Sequence, residues 1–409
     1  MKKTVAIIGT LDTKGPEHRY LKEQIESLGV STLVIDTGLT NKPAFTPDIS
    51  AEEVAAAVGQ NLSDLTAANE SAKGIEVMSR GAAAVVSGLY AHCKIHGVIS
   101  LGGGQGTMIG SAAMRALPLG VPKVMVSTLA AVDPQPFVDI KDVTMMNPVV
   151  DISGLNSLLK TIVRNAAAAV AGMVKIEKEP DLGKRRIAAT MYGITTPCVS
   201  RVRDILETAG FEVPVFAATG VGDRAMEDLI ENGYIDGVVD ITTTNVGQEL
   251  VGGINRAGPR RLEAAGEKGI PQVVSLGALD VVNFLRPETI PAKFKDRNFH
   301  MHNPTATLMR TSPEENIQAG RAMAAKLNKA KGPVTVAIPL RGLSAHDISG
   351  GPFYDPLADA ALFESLKTNL ADKVTVVELD YHINDPRFAE RLASLMLESW
   401  EKRSGGQRP

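Results

Sequence analysis

A chain of 409 residues, 44% hydrophobic and 22% charged, has room for two or three domains with sizeable cores. A net charge of −3 with no long basic stripe excludes the usual electrostatic footprint of a nucleic-acid binder. No apolar run is long enough to span a bilayer, Val5–Gly9 is too short for a signal peptide, and Cys93 and Cys198 lie too far apart in sequence for a metal motif. These features lead us to expect a cytoplasmic protein with reduced thiols and no membrane or nucleic-acid partner.

Aromatic residues make up only 4%, so Val, Ile, Leu, Ala and Met must fill the interior. Short β-rich runs at Thr4–Ile8, Thr32–Ile35, Gly97–Leu101 and Lys123–Ser127 alternate with helical patterns. Leu21, Ile25 and Leu28 mark one helix, Ser50 and Glu53 form a capping box that opens another, and a long helix follows over Gly154–Val174. This alternation predicts a parallel sheet covered on both faces.

The charged stretch 175–185, with Pro180 and Gly183 and no apolar period, reads as a linker between domains at 1–178 and 185–409. After it the pattern starts again. Arg186–Met191 resembles the opening strand, and Asp236–Ile241 matches His96–Leu101. Ala218-Thr219-Gly220 falls where Asp36-Thr37-Gly38 did, and Gly269-Ile270-Pro271 where Gly120-Val121-Pro122 did. The expected fold is therefore α/β: two Rossmann-like three-layer domains with parallel sheets, related by an apparent internal duplication. The second domain adds a helix near Pro313–Asn328, a strand Val334–Ile338, a helix Leu357–Asn369, a strand Val374–Leu379 and a last helix from Pro386. The tail from Lys402 reads as a frayed end.

The strongest chemical signal is the turn Gly102-Gly103-Gly104-Gln105-Gly106-Thr107 between a strand and a helix. Glycines leave backbone N–H groups open to an anion, and the helix N-terminus adds partial positive charge. Thr107 offers a hydroxyl. The spacing is neither a P-loop nor the dinucleotide fingerprint. A tight turn with no ligand is the plainer alternative.

Loops that follow parallel strands gather at one edge, so four further groups join this turn. Gly9, Thr10, Asp12 and Lys14 follow the first strand, with Lys14 available to neutralise phosphate and Asp12 to hold magnesium. Asp12 would equally cap the helix. Asp36, Thr37 and Gly38 end the second strand, where an acid often holds a ribose hydroxyl. Ser127, Thr128 and Asp133 follow the fourth. In the second domain Thr242-Thr243-Thr244-Asn245 and Ser275-Leu276-Gly277 occupy matching positions without the glycines. His300, His302, His346 and His382 cluster late in the chain. They read either as an acid–base or metal site facing an interdomain cleft, with His346 and His302 (and Asp12 from the first domain) as catalytic candidates, or as scattered surface residues.

Val5–Glu17, Gly97–Thr107 and Val126–Asp133, with Thr243–Leu250, Leu340–Phe353 and Asp380–Asp385, resemble the ATP-binding-domain family named after the tomato mosaic virus resistance protein. The resemblance implies two Rossmann-like subdomains, ATP with Mg2+, and a homodimer. Its plant members carry a further TIM-barrel-type domain, which makes a separate TIM-barrel protein the partner expected here. The leading expectation is an ATP-binding protein, with an ATP-dependent reaction in the interdomain cleft as its catalytic form. The rivals are a metal-dependent or acid–base enzyme on a small anionic metabolite, using the late histidines, and a nucleotide-regulated binding module without turnover.

Overall fold

The computed structural model describes residues 2–40, 42–67, 71–177 and 183–404, with the backbone alone at 66, 67, 71 and 404. The middle of the expected linker, 178–182, and the tail from Gly405 lie outside the described residues. The chain divides into two compact units, Met1–Glu179 and Pro180–Pro409.

Unit 1 runs β1 (Thr4–Gly9), α1 (Leu11–Ser27), β2 (Ser31–Asp36), α2 (Ala51–Ala56), α3 (Leu62–Ala67), α4 (Ser71–Ala91) and β3 (Gly97–Gly102). It continues with α5 (Gly104–Arg115), β4 (Lys123–Ser127), α6 (Gln135–Val138), β5 (Thr144–Met146) and α7 (Ser157–Met173). The strands form one parallel sheet in the order β2-β1-β3-β4-β5. Strand residues alternate between its two faces. Ala6 and Ile8 pack with the α2, α4 and α5 side, and Val5 and Ile7 with the α1 and α7 side. Burial on both faces is why these strands read as unbroken apolar runs. The Ser50–Glu53 capping box is present. Leu21 and Ile25 are buried as their spacing requires, but Leu28 lies just past the end of α1 and is 41% exposed.

Unit 2 runs β6 (Ile187–Met191), α8 (Thr196–Thr208), β7 (Val215–Ala217), α9 (Val221–Glu231), β8 (Gly237–Thr242), α10 (Thr244–Val251), α11 (Ala264–Lys268) and β9 (Gln272–Gly277). Then come β10 (Val281–Phe284), β11 (Phe299–Asn303), β12 (Ala306–Arg310), α12 (Pro313–Leu327), β13 (Val334–Pro339), α13 (Pro356–Asn369), β14 (Thr375–Leu379) and α14 (Pro386–Ser404). Its parallel sheet has the order β14-β13-β9-β8-β6-β7. The first four strands of each unit therefore take the same order, second-first-third-fourth. A separate antiparallel sheet, β10-β12-β11, departs from the all-parallel expectation. Among the described residues no helix is long and apolar enough to cross a membrane.

Two glycines of α4 test the packing. A Cβ on Gly81 would lie 2.2 Å from the Val54 carbonyl oxygen of α2, whereas one on Gly88 meets nothing within 4 Å. Gly81→Ala should lose about 1–3 kcal/mol by overpacking, and Gly88→Ala should gain about 0.5–1 kcal/mol of helix stability. Urea unfolding of the two variants measures both, and equal midpoints would refute the α2–α4 contact.

Candidate functional site

In a sheet ordered 2-1-3-4-5, the chain leaves β1 in one direction and β3 in the other. The crevice between their C-terminal ends is the topological switch point where ligands bind in open α/β sheets. Two turns flank it: Thr10 with the start of α1, and Gly103 with the start of α5. The N-cap of α5 is Gly103, which has no side chain to cap the helix. Thr107 is the first residue to bond back, its N–H donating to the Gly103 carbonyl at 2.9 Å. The N–H groups of Gly104, Gln105 and Gly106 have no acceptor among the described residues, which leaves the helix dipole uncompensated there.

The glycines of this turn do two jobs. A Cβ on Gly102 would sit 2.7 Å from Gly106 Cα, and one on Gly106 would sit 3.2 Å from the Leu101 carbonyl oxygen, so both serve the close approach of α5 to β3. A Cβ on Gly104 would meet nothing within 4 Å, and one on Gly103 only Thr128 Oγ1 at 3.9 Å. These two leave space in front of the free amides. Gln105 is exposed and Thr128 half-buried. Thr107 does not offer its hydroxyl to this space. Its Oγ1 is buried, 2.7 Å from Ser127 Oγ and 3.3 Å from the Gly102 carbonyl, and Ser127 Oγ also accepts from Leu129 N–H. Both hydroxyls fasten β4 to α5.

Across the crevice, Asp36 Oδ1 accepts from Leu11 N–H at 3.0 Å and Gly38 N–H at 2.9 Å, and Thr37 N–H donates to the Gly9 carbonyl at 2.8 Å. Burial pushes the Asp36 carboxyl above its usual range, and those two N–H donors pull it back. The oxygen expected to meet a ribose is thus occupied by backbone. Asp12 Oδ2 accepts from Leu39 N–H (3.1 Å), Thr40 N–H (2.9 Å) and Thr40 Oγ1 (2.8 Å), which binds it to the loop after β2. The missing Cβ of Gly38 makes room for that carboxylate, since it would lie 2.7 Å from Asp12 Cγ. Among the described residues no group of three or more His, Cys, Asp or Glu side chains could hold a metal ion.

The first turn of α1 is set off from its body. Lys14 has non-helical angles (φ −125°, ψ 26°), and Pro16 supplies no N–H to the ladder. Thr13 Oγ1 bonds Thr10 Oγ1 at 2.9 Å. Lys14 Nζ has no hydrogen bond or ion pair among the described residues, so its charge is available to a ligand.

The matching edge of unit 2 is closed. Thr242, Thr243, Thr244 and Asn245 are all buried. Thr243 and Thr244 donate to the Ser275 and Val281 carbonyls, and Asn245 to that of Asn255. Beneath them Arg261 donates to both oxygens of Asp240 at 2.5 and 2.7 Å, and also meets Asp223 at 3.2 Å and Glu227 at 3.4 Å. Sequence reasoning missed this centre, because its four members are scattered over forty residues without a motif.

Two of the late histidines do meet. The rings of His300 and His346 lie 4.8 Å apart, with Phe353 at 6.2 and 5.8 Å. Burial lowers the His346 pKa, and the neighbouring His300 and His302 lower it further. His302 is exposed, on β11 where the pairing register shifts between Met301 and Asn303, so the simple two-residue alternation fails there. His382 is structural: its Nε2 lies 2.9 Å from the Ser344 carbonyl, and its Nδ1 accepts from Asn384 N–H.

Beside them a second buried arginine faces three carboxylates. Arg310 donates to Asp359 at 2.5 Å, with Asp347 at 3.9 Å, while Asp280 accepts from Ser344 Oγ at 2.7 Å. Asp280 is pushed up to about 7 and Asp359 to about 8, in both cases chiefly by burial. Burial and the neighbouring carboxylates outweigh the Arg310 charge at Asp280 and Asp359, which favours their protonated forms.

These features define a two-unit α/β protein whose two main sheets are parallel, with an open, glycine-lined switch point in unit 1 and a closed one in unit 2. The chain belongs to the uncharacterised protein family UPF0261, whose N-terminal domain model matches residues 3–179 and whose C-terminal domain model matches residues 184–400. A member from Clostridium tetani is 50% identical over 98% of this chain and 100% of its own length. One from Rhizobium meliloti is 45% identical over 95% of this chain and 97% of its own. The ToMV resistance protein Tm-1 of Solanum lycopersicum is 40% identical over 96% of this chain, a match that spans 55% of that longer protein.

The Asp280 and Asp359 pKa values are raised on folding, so their contribution to stability is complete below the unfolded value of about 4 and is lost as pH rises through the folded values. His346, shifted downward, acts only on the acid side of its ordinary value. The melting temperature should therefore fall from pH 6 to 9, and less steeply in Asp359→Asn. Calorimetry at four pH values checks this, and parallel curves for the two proteins would refute it.

Proposed function

We propose that unit 1 binds a nucleoside triphosphate, ATP with Mg2+, at the β1/β3 switch point. The observation that carries the reading is the open start of α5. Three backbone amides without acceptors among the described residues lie beside space that Gly103 and Gly104 keep clear. Lys14, without a partner among the described residues, supplies compensating charge from the facing turn. The resemblance of Val5–Glu17 and Gly97–Thr107 to the family named after the tomato mosaic virus resistance protein suggests the ligand class.

The residues fit a polyphosphate better than a free metal ion. With no three-ligand group among the described residues, Mg2+ would arrive on the phosphates. Bound Mg-ATP would supply a transferable phosphoryl group. The part of this chain is to hold and neutralise its charge through the Gly104–Gly106 amides and Lys14. Asp36 and Asp12 act indirectly, by fixing the turns on either side of Gly9. The resemblance further suggests a homodimer with a separate TIM-barrel partner, and the composition a cytoplasmic location.

Titration calorimetry with Mg-ATP is the test. Gly104→Leu should fill the space before the amides and weaken binding at least about tenfold, while leaving the melting temperature nearly unchanged. Lys14→Met should cost about tenfold, the scale of one charge-assisted hydrogen bond. No heat at millimolar ATP, or undiminished binding by Gly104→Leu, refutes the reading.

A further inference from the structure

We propose that His18 is the positioning residue of this site, holding the turn that carries Lys14 in the shape that faces the α5 amides. The inference rests on the nucleotide-binding reading above. His18 is fully buried on α1, one turn beyond Lys14. Its Nδ1 lies 2.8 Å from the Lys14 carbonyl oxygen, and its Nε2 makes no hydrogen bond of normal geometry among the described residues, although the Ile8 backbone also acts on the ring. That pattern fits a neutral ring that donates from Nδ1, and burial lowers its pKa in the same sense.

The other edge of the ring fits under the end of β1. A Cβ on Gly9 would lie 2.0 Å from His18 Nε2 and 2.3 Å from Cδ2. Gly9 is therefore glycine because the imidazole occupies the place of its side chain. One ring thus touches both ends of the Thr10–Lys14 turn, supporting Gly9 from below and gripping Lys14 at its carbonyl. It does so where the helix cannot hold itself, because Lys14 leaves helical angles and Pro16 has no N–H to give. Gly15, next to Lys14, packs against a different neighbour, since a Cβ there would lie 2.3 Å from Ala44 Cβ.

The grip needs a donor at the Nδ1 position, while the far edge of the ring only fills the space that Gly9 leaves. Asn retains the donor and is smaller, whereas Leu fills the space without a donor. His18→Leu should weaken Mg-ATP binding at least about tenfold, and His18→Asn should stay within about threefold of the parent. Gly9→Ala should weaken binding about tenfold, and adding His18→Asn to it should restore at least about threefold, because the shorter side chain vacates the Cβ position. Amide hydrogen exchange of the segment 9–17, measured without ligand, gives a second readout. It should be faster in His18→Leu and unchanged in His18→Asn. Parent-like binding and exchange in folded His18→Leu overturns the assignment, as does equal loss in both His18 variants. If the parent protein does not bind Mg-ATP yet His18→Leu alone frees the turn, the nucleotide reading fails and the positioning role stands.

Discussion

The parallel pairing of β1 with β2 on one side and β3 on the other is the constraint on which the rest of unit 1 depends. It brings the turns after β1 and β3 side by side and sends their helices to opposite faces of the sheet. A gap at that point is unavoidable, and its walls are the starts of two helices. What the sequence chooses is how each wall is finished. The α5 side is left as bare amides and glycine. The α1 side is pinned by Asp36, Asp12 and His18, each bonding to backbone. A ligand meeting this gap would find one fixed wall and one electropositive wall already in place, with little ordering cost left to bear.

Unit 2 takes the same strand order and finishes the same gap differently. Its threonines and Asn245 turn inward, and Arg261 sits beneath them with Asp223, Glu227 and Asp240. Burial alone would penalise each of these charges heavily, so they persist only as a mutually bonded set. The Arg310 centre repeats the arrangement with Asp280, Asp347 and Asp359. Both centres hold acids above their ordinary range. They couple the packing of unit 2 to pH.

The sequence made the sheet legible because strands buried on both faces leave uninterrupted apolar runs, such as Val5–Ile8 and Val98–Leu101. The glycine turn was legible for a similar reason, as few other turns concentrate four glycines after a strand. Individual roles were much less legible. Thr107 and Asp36 have the right chemistry at the right edge, yet their side chains bond inward, and only their neighbours' geometry decides that. The β10-β12-β11 sheet was hidden because its strands are short, antiparallel and partly exposed. The arginine centres join residues far apart in sequence, for which no local pattern exists.

His18 is the instructive omission. As one histidine on an amphipathic helix it carries no motif, and the late histidines drew attention by their number. Its importance appears only with Gly9, whose missing side chain is the room the imidazole needs. The same logic runs through Gly38, which makes room for the Asp12 carboxylate, and Gly102, which makes room for α5. Glycine at this edge therefore has two meanings that spacing cannot separate. At Gly9, Gly38 and Gly102 it admits a part of the protein itself. At Gly104 a Cβ would meet nothing within 4 Å and at Gly103 only Thr128 Oγ1 at 3.9 Å, so these two glycines leave room beside amides that lack acceptors among the described residues, where the other three are filled.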